Sequence, residues 1–310
     1  MQSTTLPMTR PERSLSVDST SSMNTLKLSF EKFANVRQTV KGLCPRIRIL
    51  VMGRRNAGKT TLLQKMANSS DGQAIIHSRE GELIDPDTIL RPSVERGHSH
   101  IENEITYPSD EDYIFHDSRG MEAGSEEELD ILKAFIKDKQ EQRYLSQRLH
   151  VIWLCLPVDN DRPLGQQEMA FFEHGTEGVP VISVFTKFEG RDTKAFSQLR
   201  EDGKSMADAR KEAPDKAMAD FGEIQCQRFA NVKNQPAYSV YLREMHKPSG
   251  SCKELTEITR QLVQNQVYQT LFSEIKTSDI KVKMAIALVH AIVLSSRNEL
   301  AVGAHSQLKE

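Results

Sequence analysis

The sequence predicts a three-layer α/β/α sandwich on a mostly parallel sheet with one antiparallel edge strand. Three observations carry this. Short apolar, β-branched runs alternate with stretches of helical period, the pattern of parallel strands joined by crossover helices. Leu149 to Leu156 is almost continuously apolar, as a strand covered on both faces must be. Glu254 to Ile275 places Leu255, Ile258, Leu262, Val267, Leu271 and Ile275 on one face, which suits a helix packed on a sheet.

In chain order, residues 1–24 are rich in Ser, Thr, Pro and Met without period and read as disordered. Leu26, Phe30, Phe33 and Val40 have near-helical spacing, so 25–44 is expected to be a helical lead-in. Ile47 to Met52 is the first strand, followed by a helix through Leu62, Leu63 and Met66. Asn68 to Gly81 reads as a polar connector, and Leu83 to Gly97, with Pro86 and Pro92, as an irregular loop. Ile101–Tyr107 and Tyr113–Asp117 form an antiparallel pair. Ser125 with Glu128 is a capping box opening a helix through Leu129, Leu132, Phe135 and Ile136. Gln166 to His174 is a helix and Val179 to Phe185 a buried strand. A charged, helix-rich insertion spans about 190–235, interrupted at Pro214, and Ala237 to Leu242 is the last strand. The main domain is therefore 45–275, and 276–310 is a tail with an apolar helix at Met284–Leu294.

Composition narrows the class. The 310 residues are 38% hydrophobic and 27% charged, with a net charge of −2, ordinary for a globular protein and without the basic stripe of nucleic-acid binders. Four scattered cysteines lack metal or disulfide spacing, so a reducing compartment is expected. No secretory leader is legible, and Met284–Leu294 is short of a membrane span, so the expected location is cytoplasmic. That apolar run has three candidate partners: the domain's flank, another protein, or a membrane surface, the last least favoured.

The stretch that organises the chain is Gly53-Arg54-Arg55-Asn56-Ala57-Gly58-Lys59-Thr60, G-x-x-x-x-G-K-[ST] between a strand and a helix. Gly53 and Gly58 let successive backbone N–H groups turn inward on phosphate oxygens, and the helix adds its positive N-terminal end. Lys59 is placed to reach the β- and γ-phosphates, and the Thr60 hydroxyl to bind Mg²⁺. Asn56, Ala57 and Thr61 complete the candidate nucleotide contacts. The fold expected is that of a P-loop NTPase.

Two further motifs select among such proteins. Asp117-Ser118-Arg119-Gly120, at a strand end, has the form D-x-x-G, with Asp117 facing Mg²⁺ and the Gly120 N–H facing the γ-phosphate. Thr186-Lys187-Phe188-Glu189 follows a buried strand, where [NT]-K-x-D reads guanine. With these motifs the chain resembles TRAFAC-class GTP-binding domains, more closely the Era-like group. The run His116–Gly124 also looks like fungal G-domain-containing proteins. The resemblance covers about residues 45–275 and implies GTP and GDP as ligands, Mg²⁺ as cofactor, slow hydrolysis and a nucleotide-dependent switch read by a protein effector. Lys59, Thr60 and Gly120 are then the catalytic candidates. Thr60, Asp117 and Ser99 are the metal candidates, with Ser93 an alternative to Ser99. Gly53, Asn56, Ala57, Gly58, Thr61, Thr186, Lys187, Glu189 and Ser239 hold the nucleotide. The sequence departs from the pattern at Glu189, which stands for Asp, and at Met121, which stands where some relatives carry glutamine. Arg54 and Arg55 are either rim residues or a built-in arginine finger. A non-catalytic nucleotide-binding interaction module is the competing reading.

Overall fold

The structure is a computed structural model that describes residues 42, 44–66, 74–86, 101–108, 110–118, 126–158, 165–230 and 232–274. Chain contacts divide the molecule into two units, 40–277 and a second made of 1–39 with 278–310, which lies outside the described residues. The N-terminal segment and lead-in helix, Ser93, Ser99, Gly120, Met121, Ser125 and the apolar tail helix also fall outside them.

Numbering the described elements in chain order, the strands are β1 Ile47–Gly53, β2 Ile75–His77, β3 Leu83–Ile84, β4 Glu104–Tyr107, β5 Asp110–Asp117, β6 Val151–Pro157, β7 Val181–Thr186 and β8 Tyr238–Tyr241. The helices are α1 Lys59–Met66, α2 Glu126–Glu141, α3 Gln166–His174, α4 Glu189–Glu201, α5 Met206–Phe229 and α6 Lys253–Glu274. One sheet runs β3-β2-β4-β5-β1-β6-β7-β8. Strands β5, β1, β6, β7 and β8 are parallel, while β4, β2 and β3 continue from β5 as antiparallel strands.

The period of two along each parallel strand builds the three layers. Leu50, Met52, Ile152, Leu154 and Phe185 face a core shared with α2, α3, α4 and α5. Their neighbours Ile49, Val51, Val151, Trp153, Ile182 and Val184 face α1 and α6. Every residue of β1 from Ile49 to Met52 is fully buried, which is why the run reads as apolar throughout. On the second face the Trp153 indole N–H donates to the Thr259 hydroxyl at 2.9 Å, seating α6 on the sheet.

The parallel core holds the strands expected, and the differences lie at its margins. The stretch expected to be a polar connector and an irregular loop contains β2 and β3, so the antiparallel part has three strands. Ile76 is fully buried on β2, but three residues are too few to display a period. The chain does not break at Pro214. It breaks at Asp202–Ser205, where Gly203 has φ +86° and the Ser205 hydroxyl caps the next helix by accepting from the Asp208 N–H at 3.1 Å. Helix α5 runs through Pro214 because Ala209, Ala213, Ala217 and Phe221 bury one stripe. Pro214 lies on the exposed side, where water can serve the carbonyl that loses its N–H donor.

Candidate functional site

The C-terminal ends of the five parallel strands form one edge of the sheet, where ligands bind in open α/β folds. The registers align them: Val51 with Asp117, Gly53 with Cys155, Pro157 with Thr186, and Phe185 with Tyr241.

The loop between β1 and α1 is built from its glycines. At Gly53, φ is +144°, and a Cβ there would sit 2.3 Å from the Cys155 carbonyl oxygen, so only glycine lets the chain turn this close to β6. Gly58 has φ +83° and faces the Thr186 side chain. Asn56 adopts φ +61°, a conformation asparagine tolerates. The Ala57 N–H donates to the Arg54 carbonyl at 3.2 Å, closing the turn.

Lys59 is 9% exposed, and its ammonium folds back over the loop, donating to the Gly53 and Arg54 carbonyls at 2.9 Å each. The Thr186 hydroxyl donates to the Ala57 carbonyl at 2.8 Å, tying the loop to the end of β7. Thr186 therefore acts on the phosphate loop, and the first and third motifs are one physical unit.

Asp117 ends β5 beside Val51, and the Ser118 N–H donates to the Val51 carbonyl at 2.9 Å, holding that end against the loop. The buried thiol of Cys155 reports on both charges. Burial pushes it up to about 12, while the Lys59 charge opposes the rise and the Asp117 charge adds to it. Burial also raises the Tyr107 phenol, with Asp117 as a second cause.

Among the described residues no cluster of three or more His, Cys, Asp and Glu could hold a metal. A site made wholly of such side chains is thus absent from them. Thr60 and Asp117 carry hard oxygens, and Mg²⁺ characteristically keeps several waters beside one or two protein ligands. The donor set fits that ion.

Glu189 opens α4. Its carboxylate accepts from the Glu244 N–H at 2.9 Å and lies 4.0 Å from the His246 ring. The loop after β8 is zipped onto the start of α4, because the Phe188 N–H also donates to the Leu242 carbonyl at 3.1 Å. Arg243 then lies over the Phe188 ring, 4.6 Å from its centroid, and pairs with Asp192 at 2.8 Å. Ser239 does not join this group. It sits inside β8 opposite Ser183, and its hydroxyl accepts from Gln225 of α5 at 2.7 Å. What meets Glu189 is the Glu244 N–H and the His246 ring, and the backbone donor carries no sequence signal.

The structure also settles the remaining polar residues. His116 is fully buried on β5, with Nδ1 3.1 Å from the Ile101 carbonyl oxygen, and burial lowers it to about 3. It is a packed, neutral histidine. Arg55 is exposed on the loop. Arg54 is not a rim residue: its guanidinium pairs with Glu168 of α3, whose side chain is 1% exposed. Sequence reasoning missed that partner, since Glu168 lies in no motif.

Among known proteins, the family model described as 50S ribosome-binding GTPase matches residues 48–187, just under half of the chain. No curated protein matches it. Two solved structures are similar to parts of it. One is a septin GTPase domain from Chlamydomonas reinhardtii, at 18% identity over 50% of this chain and TM-score 0.30. This chain spans 59% of that domain's length. The other is an ADP-ribosylation-factor-like GTP-binding protein, a small COPII coat GTPase from Encephalitozoon cuniculi in complex with GDP. It is 16% identical over 83% of this chain and 96% of that one, with TM-score 0.33. Residues 48–187 are thus similar to the family so described.

Proposed function

We propose that this protein binds GTP with Mg²⁺ in the loop Gly53–Thr60 and hydrolyses it slowly to GDP, acting as a nucleotide-dependent switch. The observation that carries the reading is the join of Lys59, the loop carbonyls and Thr186, which presents an ammonium and a turn of backbone N–H groups beside the residues that follow β7. The Lys59 ammonium leaves its two carbonyls for the β- and γ-phosphates, which offer full negative charge in place of carbonyl dipoles. Thr60 and Asp117 would hold Mg²⁺, which would supply charge neutralisation at the phosphates. Glu189 and the backbone of Leu242–Met245 border the base. Lys59 and the loop amides position and stabilise the transferring group.

Turnover is slow in this reading, because Met121 has no group to orient a water and Arg54 is committed to Glu168. The three motifs support assignment to the Era-like group, and the run His116–Gly124 a likeness to fungal G-domain-containing proteins. A protein effector reads the bound state. The test is single-turnover hydrolysis by purified protein, with calorimetric titration of GTP with and without Mg²⁺. Mg²⁺-dependent binding with slow release of phosphate supports the reading. Binding without hydrolysis replaces it with a non-catalytic nucleotide-binding module.

A further inference from the structure

Glu168 lies on α3, outside every motif, yet its carboxylate is held from two sides beside the phosphate loop. It accepts from the Gly165 N–H at 2.8 Å and from Arg54 through Nε at 2.5 Å and Nη2 at 3.3 Å. Its side chain is 1% exposed and that of Arg54 27%. A carboxylate this deep needs a cation, and the two-pronged contact suits the planar guanidinium rather than an ammonium. Space is tight here, since a Cβ at Gly165 would meet Glu168 Oε2 at 2.8 Å and Arg54 Nη2 at 3.2 Å.

Arg54 is also the residue whose carbonyl receives the Lys59 ammonium at 2.9 Å and the Ala57 N–H at 3.2 Å. The side chain held by α3 and the peptide oxygen held by Lys59 belong to one residue. The loop's later half is fixed separately, by Thr186 on Ala57.

We infer that the Arg54–Glu168 ion pair is a positioning device for Lys59, anchoring the first half of the phosphate loop to α3 so that the ammonium is aimed at the β-phosphate. This rests on the reading of Lys59 given under Proposed function. The guanidinium does not itself act on the phosphates; its contribution passes through the backbone of residue 54.

The test compares wild type, Arg54→Lys, Glu168→Gln and the double variant. Dissociation constants for GDP and GMP are measured with Mg²⁺, by competition against a fluorescent GDP, alongside nucleotide-free melting temperatures. The pair is expected to strengthen GDP binding by about tenfold, the scale of a coupled contact. GMP lacks the β-phosphate that Lys59 reaches and should change by less than about twofold. The double variant should bind GDP no more weakly than the weaker single one. Equal losses for GDP and GMP, or an unchanged ratio, overturn the inference while leaving the nucleotide reading intact. A wild type that binds no GDP overturns both. Should Glu168→Gln melt early, Arg54→Lys decides, because it keeps the buried carboxylate's counter-charge.

Discussion

Thr186→Val is the sharpest probe of the join between the phosphate loop and β7. Thr186 is 4% exposed, and its hydroxyl donates to the Ala57 carbonyl at 2.8 Å. Valine matches threonine in shape, so the substitution removes the donor and little else. A buried acceptor deprived of its partner costs about 1–3 kcal/mol. In a domain of this size each kcal/mol lowers the melting temperature by about 2–4 °C, so a drop of roughly 2–12 °C is expected. The same change frees the peptide of Ala57, next to Gly58, and should weaken GDP binding, read by calorimetry. Thr186→Ser keeps the hydroxyl and should restore most of both quantities. Thr186→Val that melts and binds GDP as wild type does, while Thr186→Ser differs from it, would refute the reasoning.

Three further outcomes are expected. Lys59→Ala should abolish GTP binding and lower the nucleotide-free melting temperature by a few degrees, since it strips the buried Gly53 carbonyl of its donor; tight calorimetric binding by that variant would remove the phosphate-loop assignment. Glu189→Asp draws the carboxylate back by one methylene from the Glu244 N–H and should widen the preference for GTP over ATP by about tenfold, the scale of one charged hydrogen bond. An unchanged ratio in competition binding would overturn that expectation. His150 accepts the Arg48 N–H at Nδ1, 2.8 Å away, and burial, then the Arg48 charge, lower it to about 4. Both folded and unfolded chains hold it neutral above pH 6.5. As pH falls from 6.5 towards 4 only the unfolded chain takes up the proton, so stability is lost across that window, by about 2–3 kcal/mol at pH 4.5. Urea unfolding of His150→Gln should show a correspondingly smaller loss between pH 7 and 4.5.

The parallel centre of the sheet was legible because burial on both faces writes itself into the sequence as unbroken apolar runs. Val151–Leu156 is fully buried throughout, and no other structure suits six such residues between turns. The margins were not legible for the opposite reason. Strands β2 and β3 together hold five residues, and Leu83 is 74% exposed, so neither period nor burial marks them. Their pairing is set strand by strand, β4 supplying backbone partners to β2 and β2 to β3, whatever the side chains are. Pro214 misled because a proline's cost depends on which face it occupies, and that follows from the alanine stripe beside it.

The site divides along the same line. Motif residues are legible because phosphate and metal chemistry demand particular atoms at particular spacings, as Gly53, Gly58, Lys59 and Asp117 illustrate. Contacts that hold those atoms in place obey no spacing, since their partners come from anywhere in the fold. Glu168 reaches Arg54 from 114 positions away, and Glu189 is met by a backbone N–H 55 positions on. Ser239 is the sequence's candidate for a nucleotide contact, whereas the structure turns it towards α5 and brings the peptide of Glu244 to Glu189. A backbone donor can be supplied by almost any residue, so selection on side chains leaves no mark there. The phosphate loop is thus held by supports of two kinds, one legible and one not. Thr186 belongs to a motif and grips Ala57, while Glu168 belongs to none and grips Arg54, two residues before Asn56. Because the two grips fall on opposite sides of the loop's apex, losing either should free a different half of it.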